Sequence, residues 1–150
     1  MQKLKARIIL ILMITGFSVL SQTSKVITWK QLEDISFEEK YLKGYEDWFL
    51  VPTFGESVKR MAGSTIKIKG YVIPIDLDGK VYALSAFPFS SCFFCGAAGP
   101  ESVMTLLFKG KPPRKYKIDE VAWFEGVLSL NPDNPEEFVY VLKQCKESDE

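Results

Sequence analysis

The sequence predicts a mainly β fold, one small five-stranded antiparallel barrel with short helical elements before it. Five segments alternate apolar and polar residues in the way that half-buried strands do. Turn sequences separate two neighbouring pairs of them, Asp78-Gly79 and residues 131–135. Gly70 and Gly126 stand inside the first and fourth segments, where a glycine often marks a bulge or the tight bend of a small barrel.

The helical elements are expected before residue 65. Residues 29–33 are predicted to form a short turn or helix, and residues 38–48 to be irregular or helical, with Pro52 breaking any helix. Residues 56–61 are predicted to form a helical turn that Gly63 ends.

The five strands follow. The first begins at Thr65, alternates isoleucine with lysine, and continues past Gly70 to Ile75. The other four are predicted at residues 81–87, 102–108, 121–130 and 138–142. A long first strand kinked at a glycine suggests a partly open barrel of the OB type, and a sandwich with a similar number of strands is the alternative. The link at residues 110–116 departs from the OB pattern, because it is rich in proline and shows no helical period.

Residues 1–21 have the pattern of a secretory signal peptide. Three cations precede the almost wholly apolar residues 8–19. That run is about a dozen residues long, whereas a helix that spans a bilayer needs about 20. We therefore expect cleavage after Ser21, no stable membrane span afterwards, and a single periplasmic or secreted domain at residues 22–150. An uncleaved membrane anchor is the alternative.

Composition limits the classes of function. Loss of the signal peptide leaves 16 basic and 19 acidic residues, a formal net charge of −3. This balance argues against a nucleic-acid partner, which would need a clustered basic surface. Histidine is absent, which excludes Ser-His and Cys-His catalysis and every His-ligated metal site. Cysteine, carboxylates, lysine and the backbone would have to supply any chemistry. No catalytic set is recognisable, and a non-enzymatic role is favoured.

One loop, residues 86–101, carries a reactive pair, and we call it the thiol loop. Cys92 and Cys95 have C-x-x-C spacing, so their sulfurs can share one metal ion or form a small disulfide, and export favours oxidation. A disulfide staple, a redox-active pair and a metal site stay open. Zinc or copper is the candidate cofactor: zinc prefers four ligands, whereas Cu(I) accepts fewer and softer ones. Gly96 and Gly99 follow the pair, so no helix is expected there to favour thioredoxin-type chemistry.

Four other side chains are candidates for this site. Cys145 would be a third thiolate only if the last strand ended beside the thiol loop, and otherwise it is an inward-facing core residue. Phe89, Phe93 and Phe94 are candidate aromatics of a binding loop, although such residues are more often part of a core.

Five motifs occur in order along residues 28–142: Trp29-x-x-Leu32, Pro52-x-Phe54, Gly70-Tyr71-Val72-Ile73-Pro74, Cys92-Phe93-Phe94-Cys95-Gly96 with Gly99-Pro100 after it, and Gly126-x-Leu128. Their order and spacing resemble those of an uncharacterised family of short exported bacterial proteins with an OB-like barrel, similar to DUF3299. In its general sequence character the chain is similar to envelope proteins of Bacteroidota. The resemblance implies a periplasmic location, metal or transport association, and envelope proteins or a transport system as partners.

The sequence therefore predicts a periplasmic, non-enzymatic binding or accessory module whose functional face is the thiol loop and whose ligand is a soft or borderline metal ion. A thiol–disulfide redox protein that uses Cys92 and Cys95 is the first alternative. The second is a structural subunit of an envelope complex, with the thiol loop stapled by a disulfide.

Overall fold

The structure is a computed structural model that describes residues 24–135 and 137–149. The predicted signal peptide lies outside the described residues. The strands are β1 (Lys25–Val26), β2 (Ile35–Leu42), β3 (Asp47–Phe54), β4 (Thr65–Pro74), β5 (Tyr82–Ser85), β6 (Val103–Phe108), β7 (Glu120–Leu130) and β8 (Tyr140–Ser148). One short α-helix, α1 (Glu56–Lys59), and 3-10 turns at Trp29–Leu32, Phe89–Ser91, Phe93–Cys95 and Pro100–Ser102 complete the described elements.

The last five strands close into a barrel. They pair in the order β4-β5-β6-β8-β7, and β7 pairs back onto β4. This is a five-stranded Greek-key barrel of the OB type, so the predicted mainly β, OB-like fold is confirmed. The short β1 adds a parallel strand to β4 outside the ring.

The prediction of a wholly antiparallel barrel is wrong for one pair. Four pairs are antiparallel, but β6 and β8 run parallel, with Met104 opposite Tyr140. The reason is geometric, because a closed ring with an odd number of strands cannot alternate direction at every step. The hairpin of β7 and β8 sets β8 in the direction of β6, and the parallel pair falls there.

Two predicted boundaries are also wrong. Residues 38–48, expected to be irregular or helical, belong instead to the antiparallel hairpin of β2 and β3. The last strand was expected at residues 138–142, but β8 begins at Tyr140 and continues to Ser148. Its polar second half is held by pairing with β7, where Trp123 lies opposite Ser148. The short helical elements at Trp29–Leu32 and α1 are confirmed.

The β2–β3 hairpin stands outside the barrel. Its base packs on the main core through Ile35, Phe37 and Phe54. Its outer half carries exposed Trp48 and Leu50. Among the residues described, β2 and β3 pair only with each other, so each has one edge with no strand beside it.

The two strand glycines lie where neighbouring strands come very close. A Cβ at Gly70 would stand 2.6 Å from the carbonyl oxygen of Ser85, and one at Gly126 would stand 2.8 Å from that of Lys143. Gly126 faces the point where the β7–β8 register skips a residue, and Gln144 beside it has a positive φ of 52°. Both glycines therefore permit the tight curvature of the barrel, as their positions in the sequence predicted.

The proline-rich link between β6 and β7 contains no helix, as predicted, and it contributes one residue to the core. Tyr116 is buried, with its ring centroid 5.2 Å from that of Tyr82 and 5.5 Å from that of Phe124. Its backbone N–H donates to the Tyr82 hydroxyl at 3.3 Å. The link thus closes the core with a single aromatic side chain.

Arg114, in the same link, fixes two carboxylates. Its guanidinium lies 2.6 Å from an oxygen of Glu120 on β7 and 2.6 Å from an oxygen of Glu147 on β8. Hydrogen bonds from Arg114 are the largest influence on both carboxyl groups, and they hold each pKa below its ordinary value of 4.5. The link is therefore tied to both strands of the last hairpin.

These lowered pKa values predict acid sensitivity. The stabilisation is complete above the ordinary pKa and is lost as the pH falls through the lowered values, because protonation removes the partners of Arg114. We expect the free energy of unfolding to fall as the pH decreases from about 5 downwards, and to fall less steeply in Arg114→Met. Urea unfolding across that range measures both slopes. Lys59→Met, at an exposed ion pair of α1, is the control, and an equal change there would contradict the role of Arg114.

Candidate functional site

The thiol loop joins β5 to β6 through three successive 3-10 turns. At its start, the backbone N–H of Phe89 donates to the Asp119 carboxylate at 2.6 Å. At its end, the Ser102 hydroxyl donates to the carbonyl of Gly99 at 2.7 Å, and the N–H of Ala86 donates to the carbonyl of Ser102 at 2.9 Å. The loop is therefore tied to Asp119, next to the start of β7, and its two ends are joined to each other.

The two thiols of the motif converge on one oxygen atom. The Cys92 Sγ donates to the carbonyl oxygen of Phe89 at 3.1 Å, and the Cys95 Sγ donates to the same oxygen at 3.0 Å. Cys92 is fully buried and packs with Ile73 and Val103, whereas Cys95 is exposed. Both are free thiols. The pair thus has one sulfur fixed in the core and one open to solvent.

Backbone turns bring the pair together. The N–H of Cys95 donates to the carbonyl of Cys92 at 3.1 Å, which closes the tight turn between them. Gly96 then adopts a left-handed conformation with φ of 70°, which glycine tolerates best, and the chain reverses. No α-helix begins at the motif, so the macrodipole that assists thioredoxin-type thiols is missing at this place. Gly99, with φ of −78°, leads into the Pro100–Ser102 turn.

Cys145 does not join the pair. It is buried in the main core of the barrel, whereas Cys92 belongs to a separate, smaller cluster. Burial raises the pKa of the Cys145 thiol to about 12. Within residues 24–135 and 137–149, no three Cys, Asp or Glu side chains are grouped in a way that could hold a metal ion. The structure therefore does not form the three-thiolate arrangement, and Cys145 is the inward-facing core residue that was the alternative.

The predicted loop aromatics form a cluster with a fourth ring. Phe94 lies 6.2 Å from Phe89 and 6.0 Å from Phe93, between ring centroids. Phe138, which precedes β8, lies 5.6 Å from Phe94 and 6.3 Å from Phe93. We call Phe89, Phe93, Phe94 and Phe138 the phenylalanine cluster. It ties the thiol loop to the turn between β7 and β8, and Phe89 and Phe94 remain partly exposed.

A cleft of about 300 Å³ opens beside this cluster. One wall is β3 with Phe37 and Leu42 of β2, and the second is Phe93 and Pro100 of the thiol loop. The third wall is formed by residues 131–135 and 137–139, between β7 and β8. The cleft is lined mainly by apolar side chains, and its carboxylates are Asp133 and Glu137. Apolar clefts with a few polar groups are the usual sites of ligand binding.

Sequence reasoning missed both Phe138 and the β3 wall. Phe138 was assigned to a strand, and nothing in the sequence shows that the β7–β8 turn folds back onto the thiol loop. The sequence does not indicate that β3 is a strand, because Trp48, Phe49 and Leu50 are consecutive apolar residues with no alternation. An aromatic run before a proline was the one available indication.

Comparison with protein-family models, with curated proteins and with solved structures found no match to this chain. None of the helices in the described part of the chain has the length and apolar character to cross a membrane.

Proposed function

We propose that this chain is a non-enzymatic binding module of the bacterial envelope, and that Cys92 and Cys95 hold one Cu(I) ion. The observation that carries the proposal is the convergence of both thiols on the carbonyl oxygen of Phe89. Two side chains that donate to the same atom already stand where a single small ion could reach both sulfurs. Such an ion would displace two thiol protons rather than require the loop to unfold.

The choice of Cu(I) follows from the number and type of ligands. Zinc is usually held by four protein ligands, but the described residues offer two thiolates here and no third Cys, Asp or Glu beside them. The sequence contains no histidine that could complete a zinc site. Soft thiolates suit Cu(I), for which a low coordination number is admissible. Copper is therefore the better of the two candidate metals.

The environment of the pair fits uptake and release at the surface. Cys92 is fixed by burial and would keep its sulfur in place, while exposed Cys95 gives the ion a path from solvent. This arrangement suits a module that carries or presents a metal ion and performs no reaction on it.

Copper uptake by the reduced protein tests this function. We expect one Cu(I) per chain in a titration against a chromogenic Cu(I) chelator. The affinity should increase with pH, because binding of the ion releases a proton from each thiol. Cys92→Ser and Cys95→Ser should each abolish the one-to-one uptake. Cys145→Ala is the matched control, and it should bind as the unaltered protein does because Cys145 lies in a separate core.

Two other outcomes would refute the copper site. Reduced protein that takes up no Cu(I), but melts at a lower temperature than the oxidised form, would identify the pair as a structural disulfide. The closed ring is short, so its entropic contribution to stability would be small, roughly 2 kcal/mol or less. Rapid exchange of the pair with glutathione at a high reduction potential would identify a redox protein instead.

A further inference from the structure

We propose that the cleft binds an extended segment of a partner protein, which pairs as an added strand with the free edge of β3 and places basic side chains beside Asp133 and Glu137. This interaction surface is distinct from the copper site. Phe93 contributes to both the thiol loop and the cleft wall, but the two thiols do not line the cleft.

The cleft lies against the β2–β3 hairpin. Five consecutive residues of β3, from Trp48 to Pro52, line it. Phe37 and Leu42 of β2 line it as well, so both strands of the hairpin border the cleft. On one edge, β3 is already paired with β2 from Asp47 to Phe54. The other edge of β3 carries backbone groups that no described strand has paired.

An exposed strand edge of this kind is a template for another chain. Natural proteins usually protect such edges with charged residues, proline or a covering loop. In β3, a proline stands only near one end, at Pro52. The other end carries the apolar side chains of Trp48, Phe49 and Leu50. A two-stranded hairpin is also marginally stable in water, so a third strand would stabilise its outer half. Added-strand pairing is a common way in which proteins bind extended peptides.

Charge in and around the cleft selects the partner. Asp133 and Glu137 are exposed on the turn that forms its third wall, and none of the described residues that line it is a lysine or an arginine. Asp47 adds a third carboxylate at the start of β3. None of the three takes part in an ion pair within the described ranges. A segment with an apolar side chain for the cleft and lysine or arginine next to it is complementary to this surface.

Synthetic peptides provide the probe. The test peptide is Lys-Thr-Val-Phe-Val-Thr-Lys with both ends capped, and its partner carries glutamate in place of both lysines. By isothermal titration at low salt, we expect the lysine peptide to bind at least about tenfold more tightly than the glutamate peptide. Hydrogen exchange should become slower at the backbone amides of β3. Methylation of alternate backbone nitrogens of the peptide should abolish the binding.

Matched variants assign the effect to this surface. The double variant Asp133→Lys with Glu137→Lys should reverse the preference between the two peptides, whereas Asp149→Lys, at an exposed carboxylate near the chain end, should leave it unchanged. Leu50→Ala should weaken binding, while Leu77→Ala, at a fully exposed leucine outside the cleft, should not. Far-UV circular dichroism establishes that each variant is folded.

Several results would overturn the proposal. Equal binding of the two peptides, unaltered binding of the methylated peptide, or protection confined to another strand would each exclude the added strand. A dimer in sedimentation analysis with protected β3 amides would show that a second copy occupies the edge. The titration is run on reduced, metal-free protein and repeated on Cys95→Ser. A failed copper site therefore leaves the peptide result intact, and a failed peptide result leaves the copper result intact.

Discussion

Replacing Tyr116 by alanine is expected to lower the free energy of unfolding by about 3–5 kcal/mol, the range for removing a buried aromatic side chain. The Tyr116 ring is almost fully buried and contacts the rings of Tyr82, Phe108 and Phe124. Its removal leaves a cavity among aromatic side chains whose backbones are fixed by the barrel, so the surroundings can relax only in part. Urea unfolding followed by circular dichroism measures the change.

Two control variants separate the contributions of Tyr116. Tyr116→Phe removes only the hydrogen bond that the hydroxyl donates to Glu147, 3.1 Å long, and we expect it to cost about 1 kcal/mol. Tyr45→Ala makes the same truncation on the exposed hairpin and should change stability by about 0.5 kcal/mol or less. A Tyr116→Ala value as small as that of Tyr45→Ala would show that the link does not close the core.

The substitution Gly70→Val should lower the free energy of unfolding by almost as much. A Cβ there would lie 2.6 Å from the Ser85 carbonyl oxygen and 2.8 Å from the Leu84 Cγ, so β4 and β5 would have to separate. We expect a loss of about 3 kcal/mol, at the upper end for overpacking, because one of the clashing atoms belongs to the backbone. Thermal and urea unfolding of the purified variant give the value.

The same position offers a milder variant in case Gly70→Val does not fold. Gly70→Ala carries the same clashing Cβ and should still be clearly destabilised. Gly44→Val is the matched control, since a Cβ at Gly44 meets no atom within 4 Å. Equal stability of the Gly70 and Gly44 variants would mean that β4 and β5 can separate there at no cost.

The barrel could be predicted because its two longest strands, β4 and β7, alternate buried residues with less buried ones. Strands such as β4 show strict alternation, with Ile66 and Ile68 inside the barrel and lysines between them. The β2–β3 hairpin could not be predicted in the same way, because its outer half is exposed on both faces and has no alternation to detect. Pro52 indicated the end of a helix, yet a proline is also tolerated in an edge strand, which is what β3 is.

The candidate site was only partly predictable, for a different reason. The spacing of Cys92 and Cys95 is local, so the sequence alone indicated that their sulfurs could meet. The cleft depends on contacts between distant segments, for example the 6.3 Å approach of Phe138 to Phe93. The place of Cys145 in the main core, away from the cluster that holds Cys92, was equally hidden, because it depends on how β8 packs into the barrel. Local patterns carry no information on such long-range packing.

The closure of the ring also determines how the chain can fold. Neighbouring strands β4, β5 and β6 can form a meander through short-range contacts, and β7 with β8 can form a hairpin, but Thr65 must also meet Val127. About half of the described chain lies between those two residues. Bringing them together costs the conformational entropy of that segment before the hydrogen bonds between β4 and β7 can stabilise the barrel. Folding therefore includes a non-local step, of the kind that slows small β-barrels to milliseconds or seconds. During that interval the apolar faces of both halves are open to water, and to any other chain that meets them.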